Sequence, residues 1–343
     1  PFPGPRECAN IGPAQRKSFY PELKRWFGIP IPESEPDDRR PEAELASLAP
    51  EHAGELGMKM VFETARDAAA AKLGAARAEL ARLNVAERRR WLREKWAARL
   101  GDCEPNRNAG AVVRWRKPWG GAQAEGITLE VEPGIVVPMV LLRPAGTPPV
   151  VTVVSQGGRA RLLANRRREI EAMLAAGLAV CLPDLRGTGE TAADARRGPQ
   201  TSGVRDAASE LMLGGAMAGA RLKDLRTVLA YLDGRGDLDG SRLGLWGDSD
   251  APPNPHRLLL DEVPGWQLSP QIQRQAEPLG GILALLGALY EDRVAAVAVR
   301  RGLDGYLSLL KDQFVYVPSD VVVPDSASAG DLADIAASIA PRP

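Results

Sequence analysis

Residues 242–251 combine a short strand pattern with a tight turn around a serine, and read Arg242-Leu243-Gly244-Leu245-Trp246-Gly247-Asp248-Ser249-Asp250-Ala251. The apolar side chains before the glycine predict a strand over 242–246. Gly247 and Ala251 lie two residues before and two after Ser249, where a sharp turn needs small side chains because larger ones would clash. The sequence therefore predicts a strand whose turn lifts the Ser249 hydroxyl above the sheet edge, at the N-terminus of a helix.

Strand and helix patterns alternate on both sides of this stretch. Val150-Val151-Thr152-Val153-Val154 is an unbroken, mostly β-branched run, as expected of a strand buried on both faces. The predicted strands are 111–116, 127–131, 135–142, 150–154, 178–183, 242–246 and 294–299, and the main predicted helices after residue 150 are 164–176, 216–232 and 280–290. This order predicts an α/β fold, with a mainly parallel sheet and antiparallel strands at its start.

Two segments precede the predicted sheet. Residues 1–50 are rich in proline and charge, and residues 51–106 carry helical patterns. Within the second segment, Asn84 and Glu87 have the spacing of an N-cap and its capping-box partner, and the helix that follows is expected to end at Gly101. We therefore divide the chain into a Pro-rich segment (1–50), a helical connector (51–106) and an α/β domain (107–343).

Composition excludes several classes of protein. The 343 residues carry 44 basic and 44 acidic side chains, so the formal net charge of zero lacks the basic surplus of a nucleic-acid binder. No apolar run reaches the roughly 18–20 residues of a spanning helix. The three cysteines are too scattered for a disulfide framework or a zinc site, and Arg166-Arg167-Arg168 indicates a solvated helix face. We expect no cofactor, metal, nucleic acid or membrane partner; oligomeric state and localisation stay open.

Two further loops follow predicted strands. Ser155-Gln156-Gly157-Gly158 follows strand 150–154, and Pro183-Asp184-Leu185-Arg186-Gly187-Thr188-Gly189 follows the next strand. Together with the serine turn, the Asp-x-Arg-Gly-x-Gly loop resembles the α/β-hydrolase superfamily, and more closely its acetyl xylan esterase-like branch. The resemblance covers roughly residues 110–343, and its motifs are more specific for the fold than for the substrate.

The resemblance implies a serine carboxylester hydrolase of the carbohydrate (acetyl xylan) esterase type. Ser249 would attack an ester carbonyl, and the amides of Asp250 and of Gly157 or Gly158 would form the oxyanion hole. A histidine backed by a carboxylate would activate the serine. The expected partner is a small-molecule or polysaccharide ester.

The remaining site residues are also implied by the resemblance. Asp304 lies five positions past predicted strand 294–299, which makes it the best candidate for the catalytic acid in this chain. Asp184 and Arg186 would brace the site, and Gly247 would permit the turn. No metal ligand is expected.

The chain departs from the family pattern in its histidines. Only His52 and His256 are present, whereas the resemblance places the triad histidine after the last strand. His256 is seven residues after Ser249, a separation of roughly 10 Å along a helix, and nearby prolines make that segment irregular. We expect neither histidine to act as the base, and no triad histidine is identified.

Two interpretations follow from the missing histidine. Both chain ends look cut and no helix is predicted near the C-terminus, so this chain would be part of a longer enzyme. Residues 1–50 would then be the tail of a preceding hydrolase copy, or would add a last helix to this sheet. The alternative is a non-catalytic α/β-hydrolase-like scaffold or binding domain, which Asp248 and Asp250 favour because two carboxylates oppose a forming alkoxide. We favour the enzyme for the parent protein and expect weak or no activity in this chain.

Overall fold

Seven strands form one mixed sheet in the computed structural model. They are β1 (Gly110–Trp119), β2 (Ala122–Glu132), β3 (Ile135–Arg143), β4 (Val150–Val154), β5 (Ala179–Pro183), β6 (Leu243–Gly247) and β7 (Val294–Val299). Their order in the sheet is β1-β2-β3-β5-β4-β6-β7. The pairs β1–β2, β2–β3 and β3–β5 are antiparallel, and β5–β4, β4–β6 and β6–β7 are parallel. The predicted α/β sheet with antiparallel strands at its start is confirmed.

The structure describes residues 12–34, 40–46, 52, 56–193, 202–254, 275–312 and 316–340. The helices in this part of the chain are α1 (Pro13–Phe27), α2 (Glu42–Leu45), α3 (Val61–Leu80), α4 (Val85–Leu100), α5 (Gly158–Asn165), α6 (Arg167–Ala175), α7 (Ser202–Met212), α8 (Met217–Asp233), α9 (Leu279–Tyr290) and α10 (Leu332–Ile339). The chain divides into two compact units, Pro1–Lys59 and Met60–Pro343. The first contains α1 and α2, and the second contains all the other helices and the sheet.

Helices cover both faces of the sheet. Leu162 of α5 and Ile170 of α6 pack against β-strand side chains on one face. On the other face, α4, α8, α9 and α10 bury their apolar side chains in the larger core. Val150, Val153 and Val154 of β4 are at most 2% exposed. Burial of each such valine stabilises the fold by about 1.5–3 kcal/mol. Because burial requires apolar side chains along the strand, the bounds of β4 could be predicted from the sequence.

Three helical predictions need correction. The predicted helix 164–176 is two helices, because the chain bends at Arg166. Helix α7 was not predicted. Helix α10 contradicts the expectation that no helix lies near the C-terminal end: Asp331 caps it, and Leu332, Ile335 and Ile339 are buried on one of its faces. By contrast, the predicted Asn84 N-cap is confirmed, since Asn84 and Glu87 exchange backbone-to-side-chain hydrogen bonds of 2.9 and 3.0 Å.

The two cysteines in the described residues, Cys103 and Cys181, are buried and unbridged. Burial raises the pKa of the Cys181 thiol to about 12, so it stays protonated. Cys8 lies outside the described residues. None of the described helices has the length and apolar character needed to cross a membrane.

Candidate active site

The candidate site lies where the direction of strand addition reverses. After β4 the chain forms β5 on one side of it, and after β5 it returns to form β6 on the other side. Open α/β sheets bind ligands at the carboxyl ends of the strands near such a reversal, and here the cleft described below lies beside the loops after β6 and β7. The Asp248 amide donates a 2.9 Å hydrogen bond to the Val154 carbonyl and ties the ends of β4 and β6 together.

The turn after β6 differs from its prediction. No helix begins between residues 248 and 254, and the next described helix, α9, starts only at Leu279. Ser249 itself is buried, with 2% of its surface exposed. The small residue at 247 is needed for another reason, because a Cβ on Gly247 would lie 2.2 Å from the Gly280 carbonyl oxygen. The close approach of α9 to β6 thus requires this glycine.

A cleft of about 370 Å³ opens beside Ser249. Its wall includes Asp304, which lies on the loop after β7, together with Asn254, Arg301 and Ser308. The structure therefore brings together the two residues predicted as nucleophile and acid. Gly157, Gly158 and Asp250 do not line this cleft.

Arginines neutralise the carboxylates on either side of Ser249. Arg166 Nε donates to Asp248 Oδ2 over 2.6 Å, and its Nη2 donates to the Ser249 carbonyl over 3.3 Å. Arg161 Nε donates to Asp250 Oδ2 over 2.9 Å. The expected repulsion between these carboxylates and an alkoxide is thus offset. Arg166 is only 8% exposed, so its assignment to a solvated helix face was wrong: the buried charge of Asp248 draws it inward.

The predicted oxyanion donors have other contacts. The Gly158 amide donates to the Ser155 carbonyl over 3.3 Å. The Arg161 side chain covers Gly157, where an added Cβ would lie 2.3 Å from Nη1, and Arg161 also binds Glu277 over 2.8 and 3.0 Å. One guanidinium therefore lies against Gly157 and pairs with Asp250. The oxyanion role of these amides stays a prediction.

The Asp184–Arg186 loop is held by a dense set of hydrogen bonds. Asp184 is 1% exposed and accepts the amides of Arg159 and Glu190 over 2.6 and 3.0 Å. Burial raises the pKa of Asp184, and these hydrogen bonds oppose the increase. Arg186 binds both oxygens of Asp224, over 2.9 and 2.6 Å. In this structure both side chains bind protein groups.

Sequence analysis did not identify several ion-paired residues near the candidate site. Arg221 and Asp320 form a buried ion pair of 2.7 Å, and Gln156 Nε2 donates to the same carboxylate over 2.9 Å. Arg161 and Glu277 form the pair over Gly157. Their partners are remote in sequence, so no local pattern could have revealed them.

No histidine is among the described residues that line the cleft. His52 belongs to the Pro1–Lys59 unit, and His256 lies outside the described residues. Within the described ranges no group of His, Cys, Asp and Glu side chains could hold a metal ion.

Comparison with solved structures identifies the fold. The chain is similar to a protein from Bacteroides fragilis NCTC 9343 that is provisionally assigned as an acetyl xylan esterase, with a TM-score of 0.58, 17% identity, and coverage of 76% of this chain and 68% of that one. It also matches a methylesterase (TM-score 0.46, 20% identity, 76% and 49% coverage). A third match is acetyl xylan esterase 1 from Thermoanaerobacterium sp. JW/SL YS485 (TM-score 0.36, 16% identity, 63% and 62% coverage).

The seven-stranded sheet and the first of these matches show that the chain has the α/β-hydrolase fold. It spans about two thirds of the first of these proteins and about half of the second. No family model matches the sequence, and no curated protein sequence matches it.

Proposed function

We propose that this chain carries the nucleophile and the acid of a carboxylester hydrolase, of the carbohydrate esterase type. Ser249 is the nucleophile and Asp304 the acid. The observation that carries the proposal is the cleft at the carboxyl edge of the sheet, whose wall holds both residues. The esterases among the similar solved structures support the same reaction class.

The chemistry at Ser249 would follow the acyl-transfer pattern. Its Oγ attacks the ester carbonyl carbon, its proton passes to a base, and the alcohol leaves with a proton to give an acyl-serine. Water then attacks the acyl-serine, which releases the carboxylic acid and restores the serine. The ion pairs Arg166–Asp248 and Arg161–Asp250 favour this chemistry, because they neutralise the flanking carboxylates. No histidine lines the cleft within the described residues.

Labelling tests whether Ser249 is a nucleophile. A fluorophosphonate probe should label the wild-type chain and the Ser308→Ala variant, and should not label Ser249→Ala. Ser308 is the matched control because it lines the same cleft and its hydroxyl donates to the Gly305 carbonyl over 2.6 Å. Equal labelling of all three proteins would contradict the assignment.

Adding imidazole tests whether hydrolysis is slow because the cleft lacks a general base. We expect slow hydrolysis of para-nitrophenyl acetate by the chain alone, and a saturable increase when imidazole is added. The Ser249→Ala variant should show only the rate of imidazole in solution, which is the background to subtract. Asp304→Asn should reduce the increase about tenfold or more, as expected on loss of a positioned acid–base partner.

A non-catalytic scaffold is the second candidate. It is favoured by the burial of Ser249 and by the Arg161 side chain that covers Gly157. A scaffold predicts no labelling at Ser249 and no imidazole-dependent turnover above the Ser249→Ala background. The two experiments therefore separate the candidates.

A further inference from the structure

Arg301 is a cation of the cleft wall that has no acidic partner in the described part of the chain. It lies two residues after β7, is exposed, and lines the cleft together with Ser249. Among the described residues its guanidinium makes one hydrogen bond, a long one of 3.4 Å to the Ala251 carbonyl. A carbonyl neutralises no charge, so the guanidinium retains donors for an anion.

The neighbouring charged side chains differ from Arg301. Arg300 lies 3.3 Å from Glu169 and 3.9 Å from Asp248, so its charge is already matched. Asp304 lines the same cleft, but none of the ion pairs among described residues joins it to Arg301. The positive charge therefore remains available in the cleft that holds the proposed nucleophile.

The backbone at Arg301 is strained. Its φ is +56°, and only Arg301 and Asp325 have positive φ among the described non-glycine residues. Glycine or asparagine would adopt this conformation more easily, whereas arginine stores strain there. Strained conformations of this kind cluster at functional sites, where the side chain is needed in one position.

We propose that Arg301 binds a carboxylate of the substrate, so that the cleft selects esters of acidic molecules, such as acidic sugars or half-esters of dicarboxylic acids. The inference rests on the proposed function, since it assigns the substrate class of the Ser249 site. A guanidinium matches a carboxylate with two parallel N–H···O bonds, and a cleft wall screens such a pair less than open solvent does. The bound carboxylate would hold the ester against Ser249.

Hydrolysis of matched substrates tests the selection. With imidazole present, kcat/KM for para-nitrophenyl hemisuccinate should exceed that for para-nitrophenyl butyrate by roughly tenfold or more. Arg301→Gln should lower kcat/KM for the hemisuccinate more than for the butyrate and so remove this preference, and Arg301→Lys should retain part of it. Arg300→Gln is the matched control and should keep the full preference. Equal rates for the two esters in the wild type would overturn the proposal.

Arg301→Gly separates binding from folding. Glycine adopts the positive φ without strain, so this variant should melt at an equal or higher temperature and still lose the preference for the anionic ester. A lower melting temperature would assign Arg301 a structural role and contradict the proposal.

Binding distinguishes a failure of this inference from a failure of the proposed function. Calorimetric titration with monoethyl succinate needs no turnover. If Ser249 is unreactive, Arg301-dependent binding of monoethyl succinate still supports the anion site and refutes only the esterase. If both esters are hydrolysed equally and monoethyl succinate binds the wild type and Arg301→Gln alike, the esterase stands and the anion site is refuted.

Discussion

Two loops at the same edge of the sheet satisfy their polar groups in different ways. In the loop after β5, Asp184 accepts two backbone amides, and Arg186 binds both oxygens of Asp224 through Nε and Nη2. In the loop after β6, Asp248 has one close ion-pair partner, Arg166, and its Oδ1 is buried without a hydrogen bond. Ser249 and Ala251 of this second loop line the cleft.

The difference shows how one edge of the sheet can hold both a loop that is fixed by hydrogen bonds and a loop that lines a cleft. Buried polar groups with complete hydrogen bonding fix a loop, whereas groups with few partners are sensitive to the loss of any one of them. The hydrogen bonds of Asp184 and Arg186 thus fix the loop after β5, and its role in bracing the site stays a prediction. The loop after β6 carries the proposed nucleophile, and its Asp248 carboxylate depends on one close ion-pair partner.

The ion pair at Asp248 should show the largest effect. Arg166→Leu removes the close partner of a carboxylate that is fully buried, so we expect the free energy of unfolding to fall by about 3–5 kcal/mol. Arg167→Leu is the control, since Arg167 is 70% exposed and should change stability by less than about 0.5 kcal/mol. Urea unfolding measures both. Similar losses in the two variants would mean that the Asp248 pair does not hold the loop.

The contact of Gly247 with α9 should give an intermediate effect. Gly247→Ala places a methyl group 2.2 Å from the Gly280 carbonyl oxygen, and we expect a loss of about 1–3 kcal/mol. Gly236→Ala is the matched control, because no atom lies within 4 Å of its added Cβ. Thermal and urea unfolding should show the contrast. An unchanged stability of Gly247→Ala would show that α9 can move away from β6.

The carboxylate of Glu132 pairs with Arg186 of the loop after β5 and should give the smallest effect. Lys223 and Arg186 donate hydrogen bonds to it and lower its pKa. Its stabilising effect is therefore present above the unfolded pKa of about 4.3 and is lost as the pH falls through the lower folded value. Because Glu132 is 31% exposed, Glu132→Gln should cost only about 1 kcal/mol or less at pH 7.

Urea unfolding at pH 7 and at pH 4 tests this dependence. The difference between Glu132→Gln and the wild type should narrow at pH 4. Glu171→Gln, in the exposed pair with Arg167, should match the wild type at both values. A difference that grows on acidification would contradict the lowered pKa of Glu132.

Much of the sheet could be predicted from local sequence patterns, because burial of a strand requires apolar side chains. β4 has the predicted bounds, since a strand covered on both faces is apolar along its length. β7 also has the predicted bounds, although it is an edge strand and most of its residues are exposed. The predicted helix 164–176 breaks because Arg166 turns inward to Asp248, a partner 82 residues away. Helical periodicity contains no information about such a contact.

The residues of the candidate site could be predicted only from the order of strands and motifs along the sequence. Ser249 and Asp304 were chosen because each follows a predicted strand, and the sheet topology brings those two strand ends to one cleft. The cover that Arg161 forms over Gly157 depends on Glu277, 116 residues away. Side-chain contacts of that range require the folded coordinates.

The close packing of Gly247 on Gly280 has a consequence for how the chain can vary. It fixes the end of β6 against the start of α9, so the chain between Ala251 and Pro278 begins and ends at two fixed points. The entropy of closing a loop between fixed ends grows slowly, by about 0.6 kcal/mol for each doubling of its length. Changes in chain length between these two points should therefore cost little free energy, and those next to Asn254 or Ala276 would alter the wall of the cleft.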